Sequence, residues 1–367
     1  MTEMKFLKNL NENVGKVKPY QPGRPIEEVA RELGLDPHGI TKLASNESAL
    51  GVAPSAVEAI KKYSAEAHRY PDGGAYELRQ KICKRHSIQP DELVFGSGSN
   101  EVLVFLAQTF MGEGKSVVAS EKAFVIYKIL SLMTGTDFIE VPMNGLTHDL
   151  SAMADAVRDD TAIIFVCNPN NPTGSMVSEA EIDAFMERIP EDVLVVFDEA
   201  YAEICLGEMP NTMKYFRSGR AALVLRTFSK AYGLAGLRVG YGMGPAAVIQ
   251  ALEKPRQPFN TTLIGQMAAA AALDDDQFIE DSREIYLQGR QFLEELCTEL
   301  GIVYEKTYAN FMLMKVGDGQ KVTQQLTEKG VIVRPMAPYL LGEWIRVSLG
   351  TMEENRAFAA AFREVMK

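Results

Sequence analysis

Three short apolar runs, residues 161–167, 193–197 and 221–225, each break off into polar, turn-forming chain. Runs of this length, partly β-branched and bounded by turn residues, suit strands of a parallel sheet buried on both faces. From about residue 45 to 255, apolar runs alternate with helical stretches, the pattern of an α/β fold with a mostly parallel sheet. Fold then constrains function, because the ligands of such sheets collect at the carboxyl ends of the strands.

The strand ends carry the chemistry. Residues 221–225 lead into Arg226, Thr227, Phe228, Ser229 and Lys230, then glycine-rich chain and Arg238. Two hydroxyls, a lysine and an arginine are delivered together. A desolvated lysine beside a cation has a lowered pKa and forms a Schiff base with an aldehyde. Pyridoxal phosphate is the cofactor that needs this combination; the alternative is a solvated surface lysine. Residues 193–197 end in Asp198, Glu199, Ala200 and Tyr201. An Asp there is costly to bury unless paired, and a protonated pyridine nitrogen is such a partner. The alternative is an Asp that caps the next helix. Residues 161–167 pass into Asn168-Pro-Asn-Asn-Pro-Thr-Gly174, where two X-Pro steps and a glycine fix a tight turn and Asn171 offers its amide. An ordinary Asn-Pro turn is the alternative. In the fourth segment, Val94 to Glu101, Gly96 and Gly98 stand before a helical pattern at 102–107. Glycines at a helix start let backbone N–H groups meet a phosphate, although Ser99 or Asn100 could be a plain N-cap.

These four segments, in this order, resemble the fold type I pyridoxal-phosphate aminotransferases over essentially the whole chain. The resemblance implies an α/β fold with a mostly parallel central sheet in a large domain and a smaller α/β domain. It also implies roles. Lys230 is the Schiff-base lysine and proton shuttle, and Asp198 the pyridinium partner. Asn171 and Tyr201 are donors to the ring's phenolic oxygen. Gly98, Ser99, Asn100, Thr227, Ser229 and Arg238 fall at the phosphate cup, where the fork of Arg238 suits a phosphate. Phe124 matches the aromatic that stacks on the ring. The usual Pro-Thr-Tyr pattern is absent there, so a phenol hydroxyl is missing, but stacking needs only the ring face.

Further segments narrow the resemblance: residues 17–30 with Tyr20, residues 42–47 with Asn46, and residues 68–72 with Tyr70. With 258–260 and 309–311 they look like the histidinol-phosphate aminotransferases of histidine biosynthesis. In that subfamily Tyr20, Asn46, Arg334 and Arg346 fall at substrate positions, and the position of Arg346 holds the carboxylate of glutamate or 2-oxoglutarate. Tyr70 matches a tyrosine given across a homodimer interface to the neighbouring cofactor's phosphate. By themselves these residues have plainer readings. Tyr20 could anchor an arm, Arg334 could be an exposed strand-end charge, and Arg346 alternates with Trp344 and Ser348 on what could be a solvent face. The rival activities are aromatic amino-acid transamination and threonine-phosphate decarboxylation. A non-catalytic cofactor-binding regulator is the reading from another class.

Composition fits a cytoplasmic enzyme acting on small molecules. The net charge of −11 argues against general nucleic-acid binding. No apolar run approaches a membrane span, and residues 1–14 lack a signal-peptide core. The four cysteines show no CxxC spacing and the four histidines no ligand pairing, so no metal site is expected. The expected division is an arm with part of the small domain at 1–40, a large cofactor-binding domain at 41–260, and a small domain at 261–367. The latter opens with an alanine-rich helix near 266–273, followed by a long helix from about 278 to 300.

Overall fold

The computed structural model describes residues 4–19 and 23–367. Strands run Thr41–Lys42 (β1), Leu93–Gly96 (β2), Ser116–Ser120 (β3), Asp137–Val141 (β4), Thr161–Cys167 (β5), Leu194–Asp198 (β6), Ala222–Thr227 (β7) and Gly240–Met243 (β8). The second half adds Val303–Tyr304 (β9), Phe311–Lys315 (β10), Val331–Ile332 (β11), Arg334–Pro335 (β12) and Trp344–Ser348 (β13).

The main sheet has seven strands in the order β2-β8-β7-β6-β5-β3-β4. All neighbours are parallel except β8, which runs against both β2 and β7. Its strands alternate between two cores. Ile164, Val166, Val195, Phe197 and Val224 face one, whereas Ile163, Phe165, Leu194, Val196, Leu223 and Leu225 face the other. That alternation explains why 161–167, 193–197 and 221–225 read as continuous apolar runs: both faces are covered. It also sets direction, because Cys167, Asp198 and Thr227 continue the same-side rows of β5, β6 and β7.

A smaller antiparallel sheet, β12-β13-β10-β9, carries the C-terminal region. A two-residue parallel pair, β1 with β11, ties Thr41 and Lys42 to Val331 and Ile332. The chain between β1 and the first long helix therefore belongs spatially beside the small sheet. The alanine-rich segment forms the helix Leu263–Ala272, with Ala268, Ala269, Ala270 and Ala272 buried against the helix Pro54–Tyr63. Small side chains allow that close approach. The long helix spans Asp276–Leu300, and no described helix is long and apolar enough to cross a membrane.

Candidate active site

A cavity of about 290 Å³ opens at the carboxyl ends of β5, β6 and β7 and is closed on its far side by the small sheet and the 44–47 loop. Lys230 enters it just after β7. Its Nζ donates to the carbonyl of Asn46 at 3.1 Å and of Ser45 at 3.3 Å. Burial, and then the charges of Arg346 and Arg238, lower its pKa to about 8, while Glu47 opposes the shift. The amine thus reaches its neutral, nucleophilic form at much lower pH than an ordinary lysine.

Asp198 ends β6. It is 4% exposed, and one carboxylate oxygen, Oδ2, accepts from Tyr127 Oη at 2.7 Å. The other, Oδ1, is buried without a hydrogen-bond partner. Burial raises its pKa, and the Tyr127 hydroxyl and the Ala200 N–H pull it back. Cys167 and Asp198 are in register across β5 and β6. His148 fastens that end, with Nε2 2.8 Å from the Cys167 carbonyl and Nδ1 2.6 Å from Ser120 Oγ. Burial lowers the pKa of His148 to about 4, so the ring is neutral and can donate with one nitrogen while accepting with the other.

Asn171 follows β5 in a turn with cis peptides at Asn168–Pro169 and Asn171–Pro172. Its Oδ1 accepts from Arg346 NH1 at 2.6 Å. Arg346, from β13, is 7% exposed, donates through NH2 to the Ala44 carbonyl at 3.1 Å, and lies over the Phe311 ring at 5.1 Å. The solvent face that strand alternation allowed for Arg346 is therefore corrected: Ile345 to Ser348 are all buried, and the guanidinium points into the cavity wall. Arg334, from β12, is its register partner and lines the same cavity. Tyr201 is buried, and its Oη accepts from Asn46 Nδ2 at 3.1 Å. Burial raises its pKa, so the phenol keeps its proton.

Asn46 links these groups. It sits at φ +53° with its N–H on Ser348 Oγ at 2.9 Å, and its carbonyl also accepts from Asn310 Nδ2 at 3.2 Å. Ser45, Asn310 and Ser348 were not legible as site residues, because each contributes through a contact 185 or more residues away in sequence.

One corner of the cavity is rich in hydroxyls and N–H groups. Ser99 and Asn100 open the helix Ser99–Phe110, whose N-terminus follows Gly98 at φ +75° with no side-chain cap. Thr227 Oγ1 donates to Ser229 Oγ at 3.0 Å. Arg238 reaches Ser229 Oγ and the Ser97 carbonyl, each at 3.3 Å. A Cβ on Gly98 would collide with Arg238 NH2, and one on Gly240 with the Ser99 backbone nitrogen. Both glycines keep this corner open. Phe124 and Tyr339 border the cavity on other sides.

Thirteen of the expected positions meet here: Asn46, Ser99, Asn100, Phe124, Asn171, Asp198, Tyr201, Thr227, Ser229, Lys230, Arg238, Arg334 and Arg346. Gly98 stands directly behind Arg238. Tyr70 does not reach this cavity; it is 82% exposed and stacks on Phe259 with ring centroids 4.8 Å apart. Tyr20 lies outside the described residues. Sequence reading missed Tyr127 and His148.

A family model described as aminotransferase class I and II matches residues 38–362. The histidinol-phosphate aminotransferase of Akkermansia muciniphila is 46% identical over 357 residues, 97% of this chain and 98% of that protein. That of Methylobacillus flagellatus is 43% identical over 97% of this chain and 96% of its own length. The crystal structure of histidinol-phosphate aminotransferase from Sinorhizobium meliloti in complex with pyridoxal-5'-phosphate aligns with a TM-score of 0.88 at 27% identity, over 98% of this chain and 97% of that one.

Proposed function

Since the chain belongs to the aminotransferase class I and II family, we propose that it moves an amino group from histidinol phosphate to 2-oxoglutarate with pyridoxal 5'-phosphate carried on Lys230. The observation that carries this reading is the pairing, in one cavity, of a lysine with its pKa lowered to about 8 and a buried carboxylate with one unpartnered oxygen. The residues fit the cofactor. Asp198 Oδ1 lacks the partner that a protonated ring nitrogen supplies, and Gly98 and Gly240 leave space that a Cβ would fill beside Arg238 and Ser99.

When bound, the cofactor supplies the electron sink for breaking the substrate Cα–H bond. The protein's part is to bind, orient and move a proton. Asp198 holds a positive ring nitrogen through Oδ1. Tyr201 accepts from Asn46, so its own hydrogen is left to donate. Asn171 has Oδ1 engaged by Arg346, so its Nδ2 is the donor that remains. Ser99, Asn100, Thr227, Ser229 and Arg238 bind the phosphate, aided by the helix N-terminus. Phe124 offers its ring face. Arg346 binds the 2-oxoglutarate carboxylate, and with Arg334 and Asn46 it binds the phosphate monoester of the donor, since one guanidinium fork suits both anions. The resemblance adds Tyr20 to the residues that contact the donor. Lys230 Nζ takes the Cα proton and returns it on the other side of the transfer.

The same reading places the pair β1–β11 at the junction of an N-terminal segment with a C-terminal domain beginning near 261. Residues 41–260 form the cofactor-binding domain. It also makes the protein a homodimer, with Tyr70 reaching the neighbouring subunit's phosphate; an exposed tyrosine already stacked on Phe259 is ready to be covered. Four buried free cysteines suit the reducing cytoplasm.

Turnover of histidinol phosphate, phenylalanine and threonine phosphate, each with 2-oxoglutarate, tests the substrate. Histidinol phosphate should lead. Preference for phenylalanine, or loss of carbon dioxide from threonine phosphate, would replace this assignment.

A further inference from the structure

Asp198 has two oxygens in unlike surroundings, and Tyr127 makes the difference. Tyr127 lies in the first turn of the helix Ile126–Thr134, and its N–H donates to the Phe124 carbonyl at 3.2 Å. Its ring has no exposed surface. It stacks on Phe165 with centroids 4.4 Å apart and planes 4° apart, and meets Phe124 edge-on at 5.8 Å. The hydroxyl is therefore aimed by a rigid aromatic stack, and it lands on Asp198 Oδ2 at 2.7 Å. A phenylalanine would fill nearly the same volume. The hydroxyl is thus not needed for packing, and burying one is unfavourable unless it is bonded.

We propose that Tyr127 is a positioning residue that saturates Asp198 Oδ2, so that Oδ1 alone faces the cofactor's ring nitrogen and the carboxylate stays charged there. This rests on the cofactor reading of the preceding section. One short turn of chain, closed by the Tyr127 N–H on the Phe124 carbonyl, then carries both groups that address the ring: Phe124 its face, and Tyr127, through Asp198, its nitrogen. Without the Tyr127 donor, the buried carboxylate loses a hydrogen bond to its charged form, and Oδ2 is no longer held away from the ring nitrogen.

The test compares two ligands on cofactor-free protein: pyridoxal 5'-phosphate, and its 1-deaza analogue, in which C–H replaces the ring nitrogen. Wild type should bind the natural cofactor more tightly. Tyr127→Phe should weaken the natural cofactor roughly tenfold or more, the factor for one hydrogen bond to a charged group, and leave the analogue's affinity unchanged. In an Asp198→Asn background, adding Tyr127→Phe should change neither affinity. Equal weakening of both ligands, or a loss that persists in the Asp198→Asn background, would make Tyr127 a packing residue and overturn the proposal. Wild type that ignores the ring nitrogen would overturn the role of Asp198 as well, an outcome distinct from failure of Tyr127 alone.

Discussion

Arg346 NH1 donates to Asn171 Oδ1 at 2.6 Å, and this bond joins a strand of the small sheet to the turn that ends β5 of the large one. On the proposed function, the guanidinium would orient an amide toward the cofactor while presenting its own charge to the substrate. Arg346→Ala should lower kcat/KM for 2-oxoglutarate and for the amino donor roughly a hundredfold, the scale of a lost charge-assisted contact. Arg346→Lys keeps the charge without the fork and should fall between. Steady-state kinetics with both half-reactions decides it; unchanged KM for 2-oxoglutarate would remove Arg346 from substrate binding.

The Lys230 amine predicts a pH profile. Its pKa falls from 10.5 to about 8, so the nucleophilic neutral form predominates above about pH 8 rather than above 10.5. In cofactor-free protein, the rate of pyridoxal phosphate capture should rise with pH and level off past that point. Arg346→Ala removes a lowering charge, so the midpoint should move up. Stopped-flow absorbance would show it, and a wild-type midpoint near that of free lysine would sink the assignment. Lys230→Ala should lose both the visible absorbance of lysine-bound cofactor and steady-state turnover.

Gly98 predicts a steric effect at the phosphate corner. At φ +75° any side chain is strained, and its Cβ would displace Arg238 NH2. With ψ at 163° the residue lies in a region essentially reserved for glycine, so Gly98→Ala should cost about 1–3 kcal/mol of stability from the backbone alone, and weaken cofactor binding as well. A melt of the cofactor-free protein separates the first effect from a cofactor titration of the second. Cofactor affinity equal to wild type would show that Arg238 does not hold the phosphate.

Tyr70 predicts cooperation between subunits. Tyr70→Ala should weaken cofactor retention. Mixing Tyr70→Ala chains with Lys230→Ala chains, after dissociation and reassembly, should recover activity. In a mixed dimer, one site has its own Lys230 and its neighbour's Tyr70 intact. Absence of recovery, with mixed dimers demonstrated by mass, would place Tyr70 outside the neighbour's site.

The sequence was most readable where local pattern and chemistry coincide. Asn171, Asp198 and Lys230 each follow an apolar run, and a strand buried on both faces leaves such a run whatever else the protein does. Arg346 was harder. Alternation with Trp344 and Ser348 fits a half-exposed strand, yet β13 is buried on both faces from Ile345 onward, with Asn171 and Ala44 against Arg346 and the helix Gly319–Glu328 packed on the strand. Tyr127 and His148 were not legible at all. A tyrosine on a helix and a histidine in a loop carry no local mark of the carboxylate or carbonyl they meet through tertiary folding. The short pair β1–β11 left no periodicity to read, and β8 owes its antiparallel direction to a return that hydrophobicity does not encode.

Asn46 holds the carbonyl on which the Lys230 amine rests, and its own partners, Ser348 and Asn310, lie 302 and 264 residues further along. Contacts so distant in sequence cannot form until both partners have been made. A nascent polypeptide that has emerged past Lys230 but not past Ser348 carries the lysine without the frame that holds and desolvates it. The frame around the lysine is thus complete only once β10 and β13 have been made, and the cofactor's anchor depends on strands far downstream of it.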